Sequence, residues 1–117
     1  MKKAILILMG ANFLTSCNSA HKASGPSKIS SCIQQKIQSM EKEVAGESPI
    51  SITSYTYQQQ TVYYIVSPCC DQYNIVLDSD CNVLGHPDGG FTGKGDGTMS
   101  SFAKEATNEK LIWKRKE

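Results

Sequence analysis

Four of the five cysteines in this 117-residue chain, Cys32, Cys69, Cys70 and Cys81, lie beyond residue 30. In an oxidising compartment, an even number of thiols in a small domain predicts two disulfide bonds. Neighbouring side chains of an extended chain point in opposite directions. We therefore expect Cys32 and Cys81 each to pair with one of the two adjacent cysteines, although all three pairings stay open. A zinc site that includes His86 is the alternative, but the spacing matches no structural zinc pattern.

Acidic side chains offer a second kind of chemistry, metal binding. Asp78, Asp80 and Asn82 match the first ligand positions of an EF-hand loop, but Val83 stands where that loop needs glycine. A tight turn explains the same residues more simply, so we predict no metal site. An irregular calcium site is the alternative, and it would use three other carboxylates: Asp71, Asp88 and Asp96.

The sequence predicts no catalytic residues and no cofactor. His86 is the only histidine beyond residue 30, and neither a serine elbow nor a pair of catalytic carboxylates accompanies it. A phosphate-binding loop at 85–97 is excluded, because Gly95 stands where such a loop needs serine or threonine. We therefore expect a protein that is not an enzyme.

Residues 85–97 include six glycines and are predicted to form a loop. Tyrosines on neighbouring strands cannot all face one core, so some of them should be exposed near this loop. Exposed aromatic side chains are typical of surfaces that bind peptides or glycans. The candidate binding surface consists of Tyr55, Tyr57, Tyr63, Tyr64, Phe91 and Lys94. Cross-strand packing on a solvated face is the alternative explanation for the tyrosines.

The beginning of the chain carries an export signal. Lys2 and Lys3 precede an apolar run over residues 4–11, which is too short to span a bilayer and is typical of a signal peptide. The following Leu14-Thr15-Ser16-Cys17 resembles the lipobox of bacterial lipoproteins. That resemblance implies removal of residues 1–16 and attachment of a diacylglyceryl group to the Cys17 thiol. An ordinary secretory leader is the alternative.

The residues after Cys17 indicate where the lipid anchor is inserted. Asn18 stands where an aspartate would resemble a signal for inner-membrane retention, and the first acidic residue after Cys17 is Glu41. We therefore expect an outer-membrane lipoprotein that faces the periplasm. Residues 17–30 are rich in serine, alanine and glycine and are predicted to be a flexible tether.

The remaining residues, 31–114, are predicted to form one small α+β domain. Ser31 followed by Gln34 fits a capping box, and helical spacing of apolar residues extends to Val44 before Gly46. Segments rich in β-branched and aromatic residues then predict antiparallel strands that the helix covers on one face. The strands are expected at 50–57, 61–66, 73–77 and 83–84, followed by a short helix at 101–106 and a last strand at 111–113 that places Trp113 in the core.

Three motifs carry a family resemblance: Cys69-Cys70-Asp71-Gln72, then Asp78-Ser79-Asp80-Cys81-Asn82, then Gly89-Gly90-Phe91-Thr92-Gly93-Lys94-Gly95-Asp96-Gly97. In order and spacing they resemble a family of domains of unknown function in small lipoproteins of the Bacteroidota. The resemblance implies no activity. It also implies a further cysteine pair near Gly85 and Met99, and the absence of both cysteines here implies a looser loop.

These observations predict a lipid-anchored envelope protein that acts as a binding module for another envelope protein or a glycan. Its 12 basic and 11 acidic residues are nearly balanced, which excludes a nucleic-acid-binding surface. Two alternatives stay open. One is an exported protease inhibitor that presents the 85–97 loop, because the helix followed by strands also resembles PepSY-like exported modules. The other is a structural envelope component without a specific ligand.

Overall fold

The computed structural model describes residues 28–69 and 71–117. The predictions for the signal peptide, for Cys17 with most of the tether, and for Cys70 lie outside the described residues. None of the helices in the described part of the chain is long and apolar enough to cross a bilayer.

The domain is an α+β fold built on one antiparallel sheet of five strands, which confirms the predicted class. The strands lie in the order β4-β3-β2-β1-β5. The elements are α1 (Ser31–Met40), β1 (Ser51–Tyr57), β2 (Gln60–Val66), β3 (Ile75–Leu77), β4 (Val83–Gly85), α2 (Phe102–Glu105) and β5 (Thr107–Lys114).

Residues alternate between the two faces of the sheet along each strand. Other parts of the domain cover both faces. On the face that packs against α1, here called the helix face, Tyr63 and Ile65 of β2 contact Ile33 and Met40. On the opposite face, here called the loop face, buried residues of three strands contact the segment that follows β4: Tyr57, Val62 and Val76 pack against Met99 and Phe102. The second layer therefore consists of irregular chain and one short helix.

Helix α1 is shifted and shorter than predicted. Its N-cap is Ser30 rather than Ser31, and the Ser30 hydroxyl accepts a hydrogen bond from the backbone N–H of Ile33 at 3.3 Å. The helix ends at Met40, so Val44 lies beyond it and is 69% exposed. The helical spacing at Val44 was therefore misleading, because the apolar side chain has no sheet surface to contact there.

The last strand is longer than predicted and pairs with β1. Trp113 lies opposite Ile52, is half-buried, and packs against the core of the helix face. Its indole N–H donates to a carboxylate oxygen of Glu41 at 3.2 Å. Two irregularities in register interrupt the pairing of β5 with β1. Such bulges are features that protect edge strands from pairing with other chains.

Arg115, just after β5, holds the end of α1. Its guanidinium Nη2 donates to the carbonyl oxygen of Met40 at 2.7 Å and also to the hydroxyl of Ser48, which is buried. The same side chain donates to two further carbonyl oxygens, those of Glu43 and Pro49. A cationic donor at this position satisfies carbonyl groups that a helix leaves unpaired at its C-terminus.

We expect Arg115→Met to lower the free energy of unfolding by about 2–3 kcal/mol, because hydrogen bonds from charged groups contribute about 1.5–3 kcal/mol and the acceptors lose their charged donor. Urea denaturation of both proteins measures the difference. Lys116→Met is the matched control, since Lys116 is exposed, and it should change the value by less than about 0.5 kcal/mol. An equal loss in both variants would contradict the role of Arg115.

A disulfide joins Cys32 in the first turn of α1 to Cys81 in the turn between β3 and β4, with 6.1 Å between the two Cα atoms. The prediction that these two cysteines pair with the adjacent ones is therefore wrong. The reason is tertiary: α1 lies across the helix face with its first turn next to the β3–β4 turn. Cys69 is disulfide-bonded as well.

The sheet has two distinguishable ends. The chain enters the described fold through Lys28–Ser30, beside the β3–β4 turn and at the same end as the two-residue turn between Tyr57 and Gln60. We call this the entry end. Strand β2 ends at Val66 on the opposite side, and β3 begins there, so the segments that follow β2 and β4 both lie at the far end. We call it the loop end, because the glycine-rich loop, residues 85–97, starts there.

Candidate functional site

The base of the glycine-rich loop is fixed by a hydrogen-bond network on the carboxylate of Asp88. The hydroxyl of Tyr64 donates to its two oxygens at 2.9 and 3.0 Å, and the side-chain amide of Asn74 donates to Oδ1 at 2.7 Å. The same amide group donates to the Tyr64 hydroxyl at 3.0 Å. On its other side, Asn74 Oδ1 accepts from the backbone N–H of Ser67 at 2.8 Å. Both segments at the loop end are thereby joined to β2.

Burial and the neighbouring carboxylate change the acidity of Tyr64. Partial burial of its hydroxyl, followed by the hydrogen bond to Asp88, raises its pKa well above the ordinary value of 10.0. Burial likewise raises the pKa of Tyr55, which donates to Glu109 at 3.0 Å. Because the folded-state pKa lies above the unfolded value, these groups contribute stability that is fully present below pH 10 and is lost as the pH rises through the folded-state value.

We expect the free energy of unfolding to fall as the pH rises above about 10, and to fall less steeply in Tyr64→Phe. At neutral pH this variant should lose about 1.5 kcal/mol, since it lacks the hydrogen bond to the Asp88 carboxylate. Urea denaturation at a series of pH values tests both effects. Tyr55→Phe and the double variant show how much of the slope each tyrosine contributes. An unchanged slope in Tyr64→Phe would contradict this assignment.

Backbone contacts hold the loop against the segment before β3. The N–H of Gly90 donates to the carbonyl of Gln72 at 2.9 Å, and the N–H of Gly95 donates to the carbonyl of Gly89 at 3.1 Å. Gly90 has a φ of +73°, and a Cβ atom there would lie 2.5 Å from the ring of Tyr73. Glycine is needed at this position for both the backbone conformation and the close approach.

The second half of the loop is closed by Asp96 and Thr98. Asp96 Oδ1 accepts from the backbone N–H of Thr98 at 3.0 Å and from its hydroxyl at 2.5 Å, and these bonds lower the pKa of Asp96. The Thr98 hydroxyl oxygen accepts from the backbone N–H of His86 at 3.1 Å. The imidazole of His86 lies against the ring of Tyr73, with 5.3 Å between centroids. These contacts give Asp96 and His86 a structural role within the loop.

Phe91 stands at the tip of the loop and is 90% exposed. The turn that carries it is closed by a hydrogen bond from the N–H of Gly93 to the carbonyl of Gly90 at 3.1 Å. Lys94, also exposed, follows in a bridge with Gly89. The tip therefore presents one large apolar ring and one cation on a backbone that is hydrogen-bonded at several points.

The tyrosines of the candidate binding surface separate into three groups. Tyr63 is 3% exposed on the helix face, and Tyr57 is 6% exposed on the loop face, so neither is available at the surface. Their inclusion in a binding surface is therefore wrong. Tyr55 is half-buried beside Phe102. Only Tyr64 contacts the loop, and it does so through Asp88.

The two carboxylates of the glycine-rich loop are engaged with protein donors. Asp88 is held by Tyr64 and Asn74, and Asp96 by Thr98. In the described ranges no group of three or more His, Cys, Asp or Glu side chains is arranged to hold a metal ion. The sequence alone did not indicate the role of Asn74 or the hydrogen bond between Tyr64 and Asp88. Both arise from contacts between segments that are separated in the chain.

A groove of about 340 Å³ lies on the helix side, where α1 and β5 end. It is lined by Glu41, Trp113, Lys114, Arg115 and Lys116. The guanidinium of Arg115 lies 5.4 Å from the centroid of the Trp113 ring and already donates to four acceptors. Since the other cations are exposed lysines, we assign no ligand to this groove.

Comparison with protein-family models matches residues 38–115 to a domain of unknown function, DUF6970. The chain belongs to the DUF6970 family. The resemblance to a family of unknown function is thereby confirmed. The DUF6970 match begins within α1, so it contains Cys81 and the whole glycine-rich loop but not Cys32. Comparisons with curated proteins and with solved structures gave no match.

Proposed function

We propose that this DUF6970 protein is a lipid-anchored protein of the bacterial envelope whose domain is a non-enzymatic binding module. The sequence supports the anchor, through the apolar run over residues 4–11 and the lipobox that ends at Cys17. Asn18 and the late first acidic residue favour the outer membrane and its periplasmic side. The family resemblance favours a lipoprotein of the kind found in the Bacteroidota.

The observation that carries the binding role is the exposure of Phe91 on a hydrogen-bonded loop. Full burial of a large apolar side chain against a partner contributes about 1.5–3 kcal/mol of favourable free energy to binding. Aromatic residues of this kind are enriched among the side chains that contribute most to binding. Because the hydrogen bond from the N–H of Gly93 to the carbonyl of Gly90 closes the turn, less backbone freedom is lost when a partner buries the ring.

The anchor is tested by detergent phase partitioning of the wild type and of Cys17→Ser. The wild type should enter the detergent phase, and the variant should lose that partitioning, because a serine at this position offers no thiol for the diacylglyceryl group. An unchanged distribution of the variant would refute lipid attachment at Cys17.

The binding role is tested by chemical cross-linking of envelopes followed by purification of the protein. We expect a stoichiometric partner that is lost in Phe91→Asp. Val44→Asp is the matched control, because it introduces the same charge at another highly exposed apolar residue, and it should retain the partner. Absence of any partner in the wild type would favour a structural envelope component without a specific ligand.

The exported protease inhibitor stays the second candidate, and the same loop favours it, since an inhibitor also needs a loop whose tip is exposed and whose base is fixed. Assays of envelope proteases with the purified protein separate the two functions. Inhibition that depends on Phe91 or Lys94 would support the inhibitor, and its absence would leave the binding module.

A further inference from the structure

We propose that the binding partner is a folded protein with an apolar pocket that receives the ring of Phe91, on the side of the domain away from the point where the chain enters it. This inference rests on the proposed function and names the class of partner for the same site. It assigns Phe91 as the side chain that is inserted and the glycine-rich loop as the structure that positions it.

The first support is the shape of the tip. The neighbours of Phe91 in sequence, Gly90, Thr92 and Gly93, have small side chains or none, and the Phe91 ring is 90% exposed. The adjoining backbone is held by bonds from Gly90 to Gln72 and from Gly93 to Gly90. An exposed aromatic ring on a hydrogen-bonded backbone suits insertion into a pocket, and side chains inserted into well-packed pockets dominate protein interfaces.

The second support is charge, which argues against a bilayer as the binding surface. The loop carries one lysine, Lys94, against two aspartates, Asp88 and Asp96. Surfaces that bind anionic lipids carry clusters of lysine and arginine, and each such residue contributes about 1 kcal/mol. With one cation and one exposed apolar ring, the glycine-rich loop has neither the cluster of cations nor the broad apolar face of a membrane-binding surface.

The third support is the placement of the loop in the fold. The chain enters through Lys28–Ser30 at the entry end, where Cys32 is bonded to Cys81. The glycine-rich loop lies at the loop end, on the far side of strands about seven residues long, which is roughly 23 Å. The ring of Phe91 therefore lies at the end of the domain opposite the point where the preceding chain enters.

A glycan is less suited to this site than an apolar pocket. Sugar binding needs hydrogen-bonding side chains around the aromatic ring, and the polar groups nearest to the loop base bond with one another: Tyr64 and Asn74 both donate to Asp88. Asp96 is similarly engaged with Thr98. The carboxylates at the base of the loop are thus engaged within the protein, and the ring of Phe91 is the large exposed group at the tip.

The test places the photo-reactive residue benzoylphenylalanine at position 91 of the full-length lipidated protein in intact envelopes, and at position 44 as the control. We expect a discrete protein adduct from position 91 and none from position 44, with the attachment mapped to apolar residues of the partner. Phe91→Asp should weaken the interaction with the captured protein about thirtyfold, as expected for a side chain that dominates an interface. Phe91→Leu should retain most of it.

A second arm uses vesicles of phosphatidylethanolamine and phosphatidylglycerol that contain the purified lipidated protein. No lipid adduct is expected from position 91, and such an adduct would overturn the inference in favour of a bilayer. Equal adducts from positions 91 and 44, or none from position 91, would also overturn it. If a partner still co-purifies in that case, the proposed function stands and only the inference fails. If none co-purifies, both fail.

Discussion

Removal of the Cys32–Cys81 disulfide is expected to lower the free energy of unfolding by about 4 kcal/mol, since the bond closes a loop with a sequence separation of 49. Without it, the unfolded chain gains conformational freedom that the cross-link denies it. The loss is a large share of the stability of a domain of this size. It should also free the first turn of α1, which the disulfide ties to the β3–β4 turn.

The measurement is urea denaturation of the double variant Cys32→Ala/Cys81→Ala beside the wild type. Reducing agent alone is a poor substitute, because Cys69 is also disulfide-bonded and reduction would act on more than one bond. Hydrogen exchange should show the largest loss of protection in α1. A decrease smaller than about 1 kcal/mol would show that packing of Ile33 and Met40 on the helix face suffices to hold the helix.

Phe102→Ala is expected to lower the free energy of unfolding by about 3–5 kcal/mol, the usual cost of truncating a buried phenylalanine. The Phe102 ring is 5% exposed and lies 5.3–6.0 Å, between centroids, from three tyrosine rings. Those rings belong to Tyr55, Tyr57 and Tyr64. The substitution therefore removes the centre of the loop-face core and the support for the tyrosine that holds Asp88.

Phe91→Ala is the matched control, because it truncates the same side-chain type where it is 90% exposed, and it should change stability by less than about 0.5 kcal/mol. Urea denaturation of both variants tests the contrast. The two variants should affect partner binding for different reasons. Phe91→Ala should weaken binding while the domain stays stable, whereas Phe102→Ala should weaken it by destabilising the fold. Similar stability of the two variants would contradict the division between core and tip.

Local features were predictable because they depend on residues close in sequence. Glycines at 85–97 indicated a loop, and segments rich in β-branched and aromatic residues indicated the strands. The end of α1 was not predictable from spacing, since Val44 continues the helical pattern while the chain has already turned away from the sheet. The strand β5 is longer than predicted, because contacts with a distant strand extend it. Pairing with β1 stabilises residues 107–110, and their sequence is largely polar.

Contacts between distant segments account for the other differences. The resemblance placed a cysteine pair near Gly85 and Met99, and in the fold a Cβ atom at Gly85 would lie 2.6 Å from Met99 Cγ. The two positions are therefore neighbours, and the Met99 side chain, which is buried, fills the space between them. The segment that contains Met99 and Phe102 covers the loop face, and no short-range pattern in the sequence indicated this contact.

The sequence by itself determined the order of the elements, the α+β class, the glycine-rich loop and the presence of cysteines able to cross-link the domain. Only the tertiary structure decided that Cys32 pairs with Cys81, that Tyr63 is buried while Phe91 is exposed, and that Asp88 is held by Tyr64 and Asn74. The physical reason is that periodicity and turn chemistry act over a few residues. Partners that lie far apart in the chain are brought together only when strands pair and both faces of the sheet are covered.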